Sequence, residues 1–270
     1  MSASRAVWAP RLMRASFGVW ICALVALPML AVLARAAQGG FLGAWEAITR
    51  PAAVHALGLS FGLSLLVVGI DLIFGLATAW ALVRWDFPGR RLVSALVDLP
   101  FAVPTLVAGI LLVVMLGPQS TLGGALAGLG IDVIYAWPGM ILALCFVTLP
   151  FVVRAVEPVL EELDPAEEEA ARTLGASEGL IVRQVLLPPL LPALAVGAGQ
   201  SFARAIGEFG AMAVLSGNVP RETLVGSVYV LGEVEAGDSV EAAAVSVVLL
   251  VVSIIAQLVV SRVNQPWGRE

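Results

Sequence analysis

Lysine is missing from this 270-residue chain, and all fifteen basic residues are arginine. A phosphate-binding P-loop needs a lysine to reach the β- and γ-phosphates, so no such loop is present, and Schiff-base chemistry is excluded with it. Any ATP that drives this protein must bind another chain. Histidine occurs once, as His55, with no companions to hold a metal. Cysteine occurs twice, as Cys22 and Cys145, each inside an apolar run where it reads as a small core hydrophobe, not a disulfide or metal ligand. An intramembrane enzyme would need a nucleophile beside a base, or a metal cluster, and no Ser/His or Asp/His pair falls within an apolar run. Charge is also scarce, at 13% of residues, and the net value of −5 is local. Most acids lie between Glu157 and Glu178 or near a late loop, and nothing in this distribution suggests nucleic acid.

What is abundant is apolar surface: 60% of residues are hydrophobic and the mean hydropathy is +0.97. Such a chain belongs in a membrane. Six stretches approach the roughly 20 residues that cross a bilayer: Phe17–Ala34, Leu57–Val83, Leu92–Leu116, Ala136–Val156, Leu186–Leu215 and Ala242–Val260. Residues 1–16 read as a tail, and residues 17–270 as a single all-α, polytopic membrane domain. The first stretch also has features of a cleaved signal, with Arg5, Arg11 and Arg14 before it and Ala34-Arg35-Ala36 after it, although its apolar run is long for one. Arginine retention on the cytoplasmic side sets the orientation. With the amino terminus inside, eleven arginines fall on inner segments, while Arg35, Arg50 and Arg221 fall outside and Arg204 lies within a span. Both termini are therefore expected in the cytoplasm. Prolines 28, 100, 104, 150, 189 and 192 fall in or at the ends of spans and predict bent helices.

One stretch breaks the apolar pattern: EEEAARTLGASEGLIVRQVLLP, residues 167–188. Asp164-Pro165 reads as an N-cap with proline at the first helical position, and the following glutamates suit the positive end of the helix dipole. Gly175 is a natural left-handed stop. Ser177 is placed to cap a second short helix, with Leu180, Ile181, Val185 and Leu186 as its apolar face, ending at Pro188-Pro189. Amphipathic helices that rest on lipid carry basic polar faces, whereas this one is acidic, which favours a protein partner.

Glu169-Ala170-Ala171, three residues, Gly175, nine residues, then Val185-Leu186-Leu187-Pro188 resembles the EAA loop of ABC importer permeases, with Val185 in place of isoleucine. In that family the loop is a coupling helix that docks in a groove of the cytoplasmic ATPase. The resemblance implies that Glu169, Ala170, Ala171, Leu174, Gly175, Val185, Leu187 and Pro188, within a coupling loop of residues 157–188, contact that subunit. The segments LPFVVRAVEPVLEELDP and FARAIGEFGAMAVLSGNVP, with LVDLPFAVPTLVAGI, are similar to sulfate/thiosulfate and molybdate permeases, and most like the sulfate T-type. The resemblance implies a type I importer permease fold in the bacterial inner membrane. The implied partners are an ABC ATPase dimer, a second permease and an extracytoplasmic sulfate-binding protein, with ATP and magnesium on the ATPase and no cofactor in this chain. A molybdate/tungstate permease and, from another class, an ion-coupled carrier remain as alternatives. The carrier would show repeated halves, and no repeat is evident.

Asp71, Asp98, Arg204 and Glu208 are ionisable groups within spans, candidates for function by their cost. Arg204 and Glu208 are one helical turn apart and can pair. The pair reads either as a structural bridge or, with Gly207 and Gly210 permitting close helix packing, as part of the translocation path or gate. Asp71 and Asp98 read as acceptors for backbone or Ser/Thr donors between helices.

Overall fold

The computed structural model describes residues 5–263, and the tail residues 1–4 with Trp267 and Arg269 lie outside the described residues. Among the described residues all regular structure is helical. Five helices are long and apolar enough to cross a membrane, six if one sharply bent pair counts as a span. The chain divides into two compact units, one comprising the chain up to Arg50 with Val230–Val248, the other Pro51–Tyr229 with the chain from Leu249 onward.

The first unit holds α1 (Arg5–Ala37) and α2 (Gly40–Thr49). Helix α1 starts well inside the stretch expected to be a tail. Phe17, Trp20, Leu24, Leu27 and Leu30 are all exposed along it, a surface suited to hydrocarbon. Ala36, Ala47, Ala243 and Ala244 form its small core. Arg50 pairs with Glu241 and approaches Asp238 at 3.9 Å, so part of the acidity of the late loop is neutralised by an arginine distant in sequence.

The second unit begins with α3 (Pro51–Arg84), followed by α4 (Arg90–Ala102), α5 (Thr105–Leu116), α6 (Thr121–Gly128) and α7 (Trp137–Glu162). Then come α8 (Pro165–Thr173), α9 (Glu178–Ile181), α10 (Leu187–Ile206) and α11 (Gly210–Leu215). Helices α12 (Gly226–Glu235) and α13 (Ser239–Val263) end the described residues, and each is divided between the two units. The centre of this unit is the packing of α3, α7 and α10. A Cβ on Gly75 of α3 would lie 2.8 Å from Val152 Cβ, and one on Gly197 of α10 would lie 2.8 Å from Val152 Cα. Two missing side chains thus let two helices close on one valine of α7. One turn away along all three helices, Asp71 Oδ2 accepts hydrogen bonds from Thr148 (2.6 Å) and Ser201 (2.7 Å). Asp71 is fully buried, and it ties α3, α7 and α10 together as the Ser/Thr-acceptor reading expected.

Two expected spans differ from the sequence reading. Leu92–Leu116 is not one straight helix: α4 and α5 meet at 117°. Pro104 disfavours the helical conformation at the residue before it, and Val103 is extended there (φ −91°, ψ 127°). The fifth span does not reach Leu215, because α10 stops at Ile206 and the chain turns through Gly207–Phe209 before α11.

Candidate functional site

The arm around α8 is built largely as its sequence dictates. Asp164 accepts the Ala166 N–H at 2.9 Å as N-cap, and Pro165 opens the helix. At the other end Gly175 has φ +84°. Its N–H donates to Arg172 O at 3.0 Å, and that of Ala176 donates to Ala171 O at 3.1 Å, the two-bond closure of a left-handed glycine cap. Beyond it the expectation of a second short, separate helix is corrected. Helix α9 follows Ser177, whose hydroxyl makes no cap bond, and runs on through a π-helical turn at Val182–Leu186 into α10. Pro188 and Pro189 offer no N–H to the carbonyls one turn back, and the turn widens there. The result is one short helix beside the extended end of a long one.

The residues expected to couple divide into two sets. Glu169, Ala170, Leu174, Gly175 and Pro188 are exposed, and Leu174 is 88% exposed. Ala171, Val185 and Leu187 are half-buried against their own bundle, below which Ile181 and Leu186 are fully packed. Sequence reasoning missed Glu168, the one buried residue of α8. It pairs with Arg84 at the end of α3 (2.9 Å) and with Arg172 (3.4 Å). Arg172 also contacts Glu178 at 2.8 Å, and that hydrogen bond holds its guanidinium above the ordinary range. The four-residue spacing of Glu168 and Arg172 was a readable signal, whereas nothing local points to Arg84.

Arg204 and Glu208 do pair, with Nη1 to Oε2 at 2.5 Å, although not along a continuous helix. Glu208 lies past the end of α10, is 2% exposed, and accepts the Ala211 N–H at 2.9 Å, so its carboxylate also caps α11. Ser227 donates to the Glu208 carbonyl at 2.7 Å. Gly210 provides the close approach expected of it: a Cβ there would lie 2.7 Å from Leu106 N, at the start of α5. Gly207 does not, since the nearest atom to its Cβ position is 3.7 Å away. The break before α11 therefore abuts the break before α5. Asp98 does not serve backbone donors either. Arg154 forks onto it at 2.6 and 2.7 Å, and also reaches Ser94 and Glu157. Beside that fork, Phe101 and Phe151 meet edge to face at 5.2 Å.

A membrane-embedded helical bundle with a broken-helix crossing and a projecting capped helix defines a polytopic transport component. The profile described as binding-protein-dependent transport system inner membrane component matches residues 71–265, and the chain belongs to that family. It is a multi-pass membrane protein with the type I importer permease fold. The sulfate transport system permease protein CysT of Escherichia coli K12 is 40% identical over 252 residues, covering 93% of this chain and 91% of that protein. That of Synechococcus elongatus is 39% identical over 250 residues, covering 93% and 90%. In fold, the chain is similar to a bacterial ABC transporter involved in import of the acidic polysaccharide alginate, with a TM-score of 0.72 at 20% identity, covering 97% of this chain and 98% of that one. It is also similar to a methionine ABC transporter in an inward-facing conformation, with a TM-score of 0.60 at 24% identity, covering 80% and 96%.

Proposed function

We propose that this chain is a permease subunit of an ATP-driven importer that carries sulfate or thiosulfate across the cytoplasmic membrane. The observation that carries the reading is the likeness to sulfate permeases along 93% of the chain. The exposed Glu169-Ala170 edge and the Leu174 knob supply a docking surface for an ATPase dimer, which would bind the ATP and magnesium that this chain has no lysine loop to hold. In this reading a second permease completes the pathway and an extracytoplasmic binding protein delivers the anion. Both termini and α8 face the cytoplasm, in accord with the arginine distribution. Hydrolysis on the partner would displace α8 and switch the bundle between inward and outward access by rigid-body motion. The Arg204–Glu208 pair, at the crossing of two broken helices with Gly210, would belong to the gate, with Gly207 in the turn between Arg204 and Glu208.

The test is uptake of labelled sulfate, with thiosulfate and molybdate as competitors, in cells carrying the wild-type chain or Gly175→Pro. Proline cannot adopt φ +84° and removes the N–H that closes α8. Uptake blocked by thiosulfate and lost in the variant at unchanged membrane level is the expected result. Competition by molybdate alone would move the substrate to the other oxyanion, and uptake indifferent to the variant would sink the coupling role of the loop.

A further inference from the structure

The three consecutive glutamates of α8 are not equivalent. Glu167 and Glu169 are exposed, whereas Glu168 is turned inward between Arg84 and Arg172. No apolar side chain of α8 is buried, so Glu168 is its main anchor to the bundle. The Arg84 and Glu168 side chains are 18% and 11% exposed, which shields their attraction from the solvent screening that weakens surface pairs. Arg84 also sits 5.5 Å over the Trp80 ring of α3. On the other side, Arg172 reaches Glu178, the first residue of the arm that continues into α10. Arg84, Glu168, Arg172 and Glu178 therefore form an alternating relay from α3 through α8 to α10. Beside it lies an open apolar groove of about 260 Å³, walled by Ile73, Leu76 and Trp80 of α3 and by Val182, Leu186 and Leu190 of the α10 arm. The relay lies at the cytoplasmic ends of these helices, away from the Asp71 layer that ties α3 to α10.

We infer that Glu168 is a positioning residue of the transport cycle, the strut through which displacement of α8 is passed to α3 and α10. The exposed edge of the same helix meets the partner. The inference rests on the transport reading above and adds to it the route by which motion enters the bundle. A shielded ion pair suits this task because it holds the inner side of a nine-residue helix that buries no apolar side chain of its own.

The experiment uses the chain purified with its transport-system partners in proteoliposomes, with sulfate uptake and ATP hydrolysis read from the same vesicles. Glu168→Gln is expected to assemble and hydrolyse ATP, while the sulfate moved per ATP falls about tenfold, within the usual span of a coupling free energy. Glu168→Asp, which keeps a carboxylate facing both Arg84 and Arg172, is expected to retain most of the wild-type ratio, whereas Arg84→Gln is expected to lower it as Glu168→Gln does, a charge-dependent pattern that a merely structural defect would not give. An unchanged ratio in Glu168→Gln, or loss of the ATPase from the complex, overturns the inference. A second readout does not depend on the substrate: spin labels at Trp85 and Glu167, compared with and without bound ATP. A constant separation in the otherwise wild-type chain that becomes nucleotide-dependent in Glu168→Gln supports the strut, and separation already changing with the relay intact overturns it. Wild-type vesicles that move no sulfate would refute the substrate assignment and leave the label measurement to decide the strut.

Discussion

Ser201 on α10 donates its hydroxyl to Asp71 on α3 at 2.7 Å, across 130 residues of sequence, and Thr148 on α7 reaches the same carboxylate oxygen. Three helices thus share one buried acceptor, directly above the layer where Gly75 and Gly197 close on Val152. Asp71→Asn keeps an acceptor oxygen and should be nearly neutral. Asp71→Leu removes the shared partner from two buried hydroxyls and should cost about 1–3 kcal/mol. Thermal unfolding of the detergent-solubilised protein reads the difference, and equal midpoints for the two variants would show that the layer contributes nothing.

Arg204 and Glu208 make a second prediction, because the carboxylate is buried and the guanidinium is not. Arg204→Met strands a buried charge and should destabilise by about 3–5 kcal/mol. Adding Glu208→Gln removes that charge while an amide oxygen keeps capping Ala211, so most of the stability should return. If the pair belongs to the gate, uptake stays lost in the stable double variant. Normal uptake there would reduce the pair to a structural bridge.

Gly210 and Gly207 lie three residues apart with opposite surroundings. Gly210→Val places side-chain atoms against the backbone of Leu106 and should cost about 1–3 kcal/mol or prevent assembly. Gly207→Ala meets nothing closer than 3.7 Å and should leave membrane level and uptake near wild type. Expression and uptake of the two variants side by side check the contrast.

Leu174 is the most exposed large apolar side chain of the arm. Replacing it with aspartate removes no packing within the chain, so stability should change by no more than about 0.5 kcal/mol. Co-purification of the ATPase subunit should nevertheless drop sharply. Retention of that subunit at wild-type level would place the docking surface elsewhere.

Asp164 caps α8 through the Ala166 N–H. Asp164→Ala should destabilise that helix by about 1 kcal/mol while Asp164→Ser is tolerated. Hydrogen exchange at the amides of residues 166–173 in the purified protein measures it.

Local chemistry makes the arm legible in the sequence. Asp164-Pro165 and Gly175 each impose a backbone state through their own covalent structure, so the start and stop of α8 needed no tertiary help. The apolar runs likewise specified a helical membrane bundle, because a chain in lipid must satisfy its own backbone hydrogen bonds. The breaks were only partly legible. Proline marked Val103 as a weak point, yet the 117° turn between α4 and α5 depends on what packs there, including Gly210 against Leu106. The continuation of α9 into α10 was hidden because the paired prolines at 188 and 189 read as a stop, whereas a widened turn absorbed them. Partners for charge were decided by tertiary structure alone. Arg84 found Glu168, Arg154 found Asp98, and Arg50 found Glu241, each across a separation at which sequence carries no distance information. Which of three adjacent glutamates is buried was fixed by the helix face that met α3, and that choice separates the residue that anchors the arm from those left exposed for a partner.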